Sequence, residues 1–248
     1  MNIGLYILLV MLPSLLITGW AALRVRSTYA KWSKVDSGIN MDAFAFARKL
    51  LDRQGLTDVQ IEPTPGQLTD NYDPRGKVLH VSQAVSGGPQ AGSYDPRRAV
   101  LNVPSDGQPH LSVAAAAVIA HEVGHALQDR ERDPWMTVRL AIVPAVQFGS
   151  GIGPWLIIGG LWLNILGLAW IGLIAFAAAV VFTFVTLPVE IGASGKALAF
   201  VSSLGMVGER ETGAREVLKA AAWTYVAAAL TALLTFLYYL MLVAGRRD

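Results

Sequence analysis

Long apolar stretches alternate with polar ones along this 248-residue chain. The first, Ile3 to Leu23, is long enough to cross the hydrocarbon core of a bilayer and stops at Arg24 and Arg26. It reads as a transmembrane helix. A cleaved signal peptide is the competing reading, but no basic residue precedes the apolar run and the run is long for that role. From Thr137 to Leu187 the chain is apolar except for Arg139, Gln147 and Asn164, which is too much for one span. A cut near Asn164 predicts one helix from about Val138 to Leu163 and another from about Ile165 to Leu187. A fourth span is expected from about Ala220 to Ala244, ending in Arg246 and Arg247.

The polar block between the first two spans has its own periodicities. Phe44, Ala47, Leu50 and Leu51 recur at helical spacing, so Met41 to Leu56 predicts an amphipathic helix stopped by Gly55. Val59 to Glu62 alternates as a short strand, cut off by Pro63 and Pro65. A near-repeat follows: NYDPRGKVLHVS (Asn71 to Ser82) and SYDPRRAVLNVP (Ser93 to Pro104) each place an Asp-Pro turn before an alternating run. The two runs are expected to pair as a hairpin or a mixed sheet, joined by the loop Ser86 to Ser93. Ser112 is the predicted N-cap of a helix running through Ala114 to Gln128 and closed by Asp129 to Pro134. Gly124 inside that helix costs about 1 kcal/mol relative to alanine, which points to close packing there. After the third span come Pro188 and Glu190, a moderately apolar helix from Glu190 to Gly205, and a charged patch from Glu209 to Lys219. The expected organisation is a first span (1–23), a polar block (24–135), two spans (136–187), a further helix and loop (188–219), and a last span with its tail (220–248).

Composition agrees with this reading. With 53% hydrophobic and 15% charged residues and a mean hydropathy of +0.44, the chain is too apolar for an ordinary soluble domain. A net charge of +2 without a basic run interleaved with aromatics excludes nucleic acid as the expected partner. The absence of cysteine removes disulfides, thiolate ligands and cysteine nucleophiles. Basic residues concentrate on the side of the polar block (Arg24, Arg26, Lys31, Lys34, Arg130, Arg132, Arg139, Lys196, Arg210, Arg215, Lys219), against Arg246 and Arg247 on the other. The polar block is therefore expected on the cytoplasmic side.

The candidate chemistry lies in AVIAHEVGHALQ, Ala117 to Gln128. On a helix His121 and His125 stand one turn apart on one face with Glu122 beside them. Two imidazoles at this spacing can hold one zinc ion, and the carboxylate can take a proton from the water that such an ion activates. A third ligand must be His, Asp or Glu. His80 and His110 read better as solvated strand and loop residues, and Asp129, Glu131 and Asp133 lie too close along the helix to fold back onto its metal face. Glu190 differs, because a carboxylate at the end of a long apolar span is expensive unless something offsets its charge. Four spans also return it to the membrane face that carries His121. Its competing reading is an interfacial glutamate that reaches water or pairs with Lys196.

HEVGHALQ, LPVEIGAS (Leu187 to Ser194), the YDPR segment and Arg215 to Leu234 together resemble the YugP-type membrane zinc metallopeptidases, in the same order and over most of the chain. More distantly the plan is similar to HtpX-type proteases. The resemblance implies a mainly α, polytopic membrane protein with four transmembrane helices and a zincin-like catalytic core carrying a small β element. It also implies Zn2+ on His121, His125 and Glu190, with Glu122 as general base. Two features depart from the family pattern: the second YDPR copy at Tyr94 to Arg97, and Gly192 and Gly195, which are expected to make the helix after Glu190 less regular.

The expected activity is zinc-dependent hydrolysis of peptide bonds in membrane or membrane-proximal proteins, with a peptide substrate added as a strand along the edge of the YDPR region. Two other readings stand beside it. An intramembrane metalloprotease would carry its HExxH motif mid-span and an Asp ligand in a later span, and neither is present here. A non-catalytic membrane scaffold or assembly factor would use the histidines structurally. The bilayer is an expected partner, and the small-residue run Ala227 to Ala232 is compatible with helix packing or a homo-oligomer. The substrate and any regulatory membrane partner have no signature.

Overall fold

The computed structural model describes residues 3–82, 85, 94–95, 100–101 and 111–246. The chain is mainly helical. A short turn α1 (Ile3–Tyr6) and a π-helical turn (Ile7–Met11) lead into α2 (Leu12–Trp32), followed by α3 (Ala43–Arg53), β1 (Gln60–Thr64), β2 (Asn71–Asp73), β3 (Val78–Ser82), β4 (Tyr94–Asp95), β5 (Val100–Leu101), α4 (Val113–Arg130), α5 (Pro134–Trp162), α6 (Leu166–Ser203) and α7 (Glu209–Ala244). Four helices, Gly4–Trp32, Pro134–Trp162, Leu166–Ser203 and Glu209–Ala244, are long and apolar enough to cross a membrane. Two compact units share these elements.

One unit takes Met1–Leu23, Pro134–Val189 and Ala222–Asp248. Within it α5 and α6 meet through small residues. A Cβ on Gly172 would lie 2.7 Å from the Gly153 carbonyl oxygen, and one on Gly160 would lie 2.5 Å from the Ala169 nitrogen. Glycine therefore lets these backbones touch. The break between α5 and α6 falls at Asn164, as the apolar pattern predicts. Asn164 has φ +57, and Arg246 Nη1 donates to the Leu161 carbonyl at 2.5 Å and to Asn164 Oδ1 at 2.6 Å. Asparagine tolerates this left-handed conformation, and the guanidinium caps carbonyls at the helix end.

The other unit takes Arg24–Asp133 and Glu190–Ala221. Its core contains α3, α4 and a three-stranded sheet in the order β1-β3-β2, with β1 parallel and β2 antiparallel to β3. Asp42 caps α3 by accepting the Ala45 N–H at 2.8 Å, and Gly55, with φ +68, turns the chain out of the helix. Phe46, Leu50 and Leu51 are fully buried, each stabilising the unit by about 1.5–3 kcal/mol. Ser112 caps α4 through the Ala115 N–H at 3.1 Å. The alanines from Ala114 to Ala117 are all buried and let the core approach the helix from several sides.

Several boundaries differ from the sequence expectation. α6 runs through Pro188 without a break, so Glu190 to Ser203 belongs to the same helix as the third apolar run and is no separate helix. Proline removes one intrahelical bond, while Ala193, Ala197 and Val201, buried at four-residue spacing, hold the helix beyond it. Gly192 and Gly195 do not make it irregular. α7 begins at Glu209, well before the predicted span, because Glu209 and Glu211 suit a helix N-terminus and Gly213 accepts the Trp32 ring against its backbone. α2 likewise continues to Trp32, whose Nε1 donates to Glu216 Oε2 at 2.7 Å.

Among the described residues the two YDPR copies do not pair with each other. In the first, Tyr72 faces Leu79 and Asp73 faces Val78 across the turn. In the second, Tyr94 faces Leu101 and Asp95 faces Val100. Each copy closes its own hairpin in the same register. The remaining residues of the second copy, 93, 96–99 and 102–104, lie outside the described residues, as does the predicted loop Ser86 to Ser93.

Candidate metal centre

α4 and α6 bring the candidate residues together, and backbone contact sets the distance. A Cβ on Gly124 would lie 2.8 Å from the Ala193 carbonyl oxygen, which is the close packing that a glycine within a helix suggests. At this crossing His121 and His125 face Glu190, which is 2% exposed. His121 Nε2 lies 3.1 Å from Glu190 Oε2, and His125 Nε2 lies 3.5 Å from the same oxygen. The imidazole rings meet edge to face with centroids 4.6 Å apart. Donor atoms of His121, Glu122 and His125 also lie within 4.8 Å of one another.

The hydrogen bonds behind the imidazoles decide which nitrogens face the carboxylate with a lone pair. His125 Nδ1 lies 3.0 Å from Gln128 Oε1. An amide oxygen only accepts, so Nδ1 carries the proton and Nε2 is a lone pair in the neutral ring. Gly192 makes room for this partner, because a Cβ there would lie 2.9 Å from Gln128 Nε2. His121 Nδ1 lies 3.2 Å from Ser194 Oγ, a hydroxyl that accepts the Nδ1 proton in the tautomer that turns a lone pair on Nε2 toward Glu190. Two nitrogen lone pairs and a carboxylate oxygen then point at one another. With both rings neutral, that arrangement is repulsive unless a metal cation, or a proton on one ring, lies among them. Tetrahedral zinc with bonds near 2.0–2.1 Å separates its ligand atoms by about 3.3 Å, and the observed 3.1 and 3.5 Å bracket that edge. The donor set fits zinc.

Burial lowers the basicity of His125, but the Glu190 and Glu122 carboxylates outweigh it and raise its pKa above the usual value. Protons therefore compete with a cation for this ring. Glu122 is partly buried; desolvation raises its pKa above the ordinary carboxylate value, against the opposing pull of the two histidines. Its Oε2 accepts the Tyr72 backbone N–H at 2.9 Å.

The other sequence candidates lie elsewhere. His80 stands on β3 opposite Asn71, and His110 lies outside the described residues. Asp129 accepts from the Tyr72 phenol at 2.9 Å, and Glu131 accepts from Lys196 at 2.6 Å. Lys196, the competing partner for Glu190, is thus engaged by Glu131. Three residues at the site escaped the sequence reading: Gln128, Ser194 and Tyr72. Gln128 is three after His125 and Ser194 four after Glu190, so helical spacing relates each to one of the candidate residues. Nothing in the sequence connects Tyr72 with Glu122.

A family model described as "Putative neutral zinc metallopeptidase" matches residues 6–93 and 86–244. The chain is 40% identical over 230 residues to "Putative membrane protease YugP" of Bacillus subtilis (strain 168), covering 92% of each chain. No solved structure matches it.

Removing a partner that orients a ligating histidine weakens metal binding about 10- to 100-fold. Gln128→Ala is therefore expected to weaken zinc affinity by that factor while the helical circular dichroism stays unchanged. Unaltered affinity in a competition titration with a zinc chelator would show that Gln128 does not orient His125.

Proposed function

Since this chain belongs to the neutral zinc metallopeptidase family and has four helices able to cross a membrane, we propose that it is a membrane-bound, zinc-dependent endopeptidase. Its substrates are peptide bonds of membrane or membrane-proximal proteins. The observation that carries this reading is the convergence of His121 Nε2 and His125 Nε2 on Glu190 Oε2, with Glu122 beside them. His121, His125 and Glu190 hold the metal, and Glu122 is the general base.

Zinc bound there would supply a Lewis acid that makes water nucleophilic near neutral pH and polarises the scissile carbonyl. Glu122 takes the proton of the attacking water and passes it to the leaving amine. Its desolvated carboxyl suits this task, because a raised pKa brings the base closer to the operating pH. Gln128 and Ser194 keep the ring nitrogens aimed at the metal. Glu190, a carboxylate buried among apolar helices, is offset in charge by the same ion.

The candidate residues all lie in the unit formed by Arg24–Asp133 and Glu190–Ala221, and the polar run Asp129 to Asp133 closes α4, which supports a site at the membrane surface over one within the bilayer. The excess of Lys and Arg beside the polar block supports the cytoplasmic side. A reporter fused after Asp248 should accordingly lie outside the cytoplasm, and a cytoplasmic reporter would reverse the assigned sidedness.

General-base catalysis contributes about 10²- to 10⁴-fold. Glu122→Gln is expected to keep its zinc and to lose cleavage of an unfolded protein substrate by that factor. Wild-type cleavage rates in this variant would remove Glu122 from the mechanism.

A further inference from the structure

The edge of the small sheet is closed onto the active-site helix. Among the described residues β2 is an outer strand in the order β1-β3-β2. Hydrogen bonds in an antiparallel pair alternate, so every second residue of an outer strand turns its N–H and C=O away from its neighbour. Tyr72 is that residue in β2, because its N–H goes 2.9 Å to Glu122 Oε2. Its phenol donates to Asp129 Oδ2 at 2.9 Å. Glu122 and Asp129 are seven residues apart on α4, two turns along one face. A single residue of β2 thus grips the helix at two points through two different groups. A separation of 2.9 Å leaves no space for a peptide backbone between strand and helix. Beside the second grip lies a cavity of about 390 Å³, walled by Tyr72 and Asp129 with Leu56, Val59, Pro74 and Lys77. It leaves the tyrosine ring room to move.

We propose that Tyr72 is a latch and a positioning residue for Glu122, an inference that rests on the peptidase reading above. At rest it holds β2 shut and keeps one oxygen of the general base occupied. An extended peptide opens the site by adding to the edge of β2: its carbonyl replaces the Glu122 carboxylate as acceptor of the Tyr72 N–H, and the carboxylate is released for proton transfer. The enzyme therefore selects unfolded segments, since only a chain with unpaired backbone carbonyls can make this exchange. Because the site must open first, apparent affinity is reduced by the open fraction.

Tyr72→Phe keeps the backbone N–H and the ring but removes the phenol bond; Asp129→Ala removes the same bond from the helix side. Two readouts are taken on zinc-loaded protein in detergent: amide hydrogen exchange at residues 71–73, and KM and kcat for an unfolded peptide of mixed sequence. A charge-assisted hydrogen bond lost from the closed state should speed exchange about tenfold in both variants. KM should fall about tenfold, proportionately more than any change in kcat, and the double variant should match either single one. Unchanged exchange at β2, or a raised KM with a lowered kcat, would overturn the latch. The exchange arm needs no catalysis. A wild-type protein that cleaves nothing therefore sinks the peptidase reading, while exchange still decides the latch.

Discussion

The site depends on one contact between two backbones, Gly124 of α4 against the Ala193 carbonyl of α6. A side chain at position 124 would push the helices apart, since even a Cβ would lie 2.8 Å from that oxygen. The same displacement would carry Glu190, three residues before Ala193 on the same helix, away from His121 and His125. If these groups shared a zinc ion, their separations of 3.1 and 3.5 Å would tolerate little movement, because zinc bonds vary by only tenths of an ångström. The glycine, unfavourable in a helix interior, is thus the residue that permits the chemistry.

Around this contact the polar groups are arranged in layers. The innermost layer is two imidazole nitrogens and one carboxylate oxygen; behind it Gln128 and Ser194 set the ring orientations. Gly192 matters for the second layer as Gly124 does for the first, because it leaves space for the Gln128 amide. Glu122 lies beside the two imidazoles, and its Oε2 accepts the Tyr72 N–H on the sheet side. Under the proposed function, Glu190 would offset the charge of a cation and Glu122 would handle protons.

Much of this was legible in the sequence because hydrophobic periodicity reports burial directly. The apolar runs predicted four spans, and the cut at Asn164 coincided with a left-handed residue. HEVGH predicted two imidazoles on one helical face, and the end of the third apolar run singled out Glu190. Helix continuity was less legible. Pro188 reads as punctuation, yet packing at Ala193, Ala197 and Val201 carries α6 past it. The tie between Tyr72 and Glu122 joins residues fifty apart through a backbone N–H, and no side-chain pattern records where a strand's N–H will point.

We propose that one zinc ion is held by His121, His125 and Glu190 at this crossing. Zinc K-edge X-ray absorption on the metal-loaded protein, wild type against Glu190→Gln, tests it most directly. Two imidazoles and a carboxylate oxygen at about 2.0–2.2 Å are predicted in the wild type, with the short oxygen shell lost in the variant. A zinc shell identical in the two proteins, or one without imidazole scattering, would contradict the account.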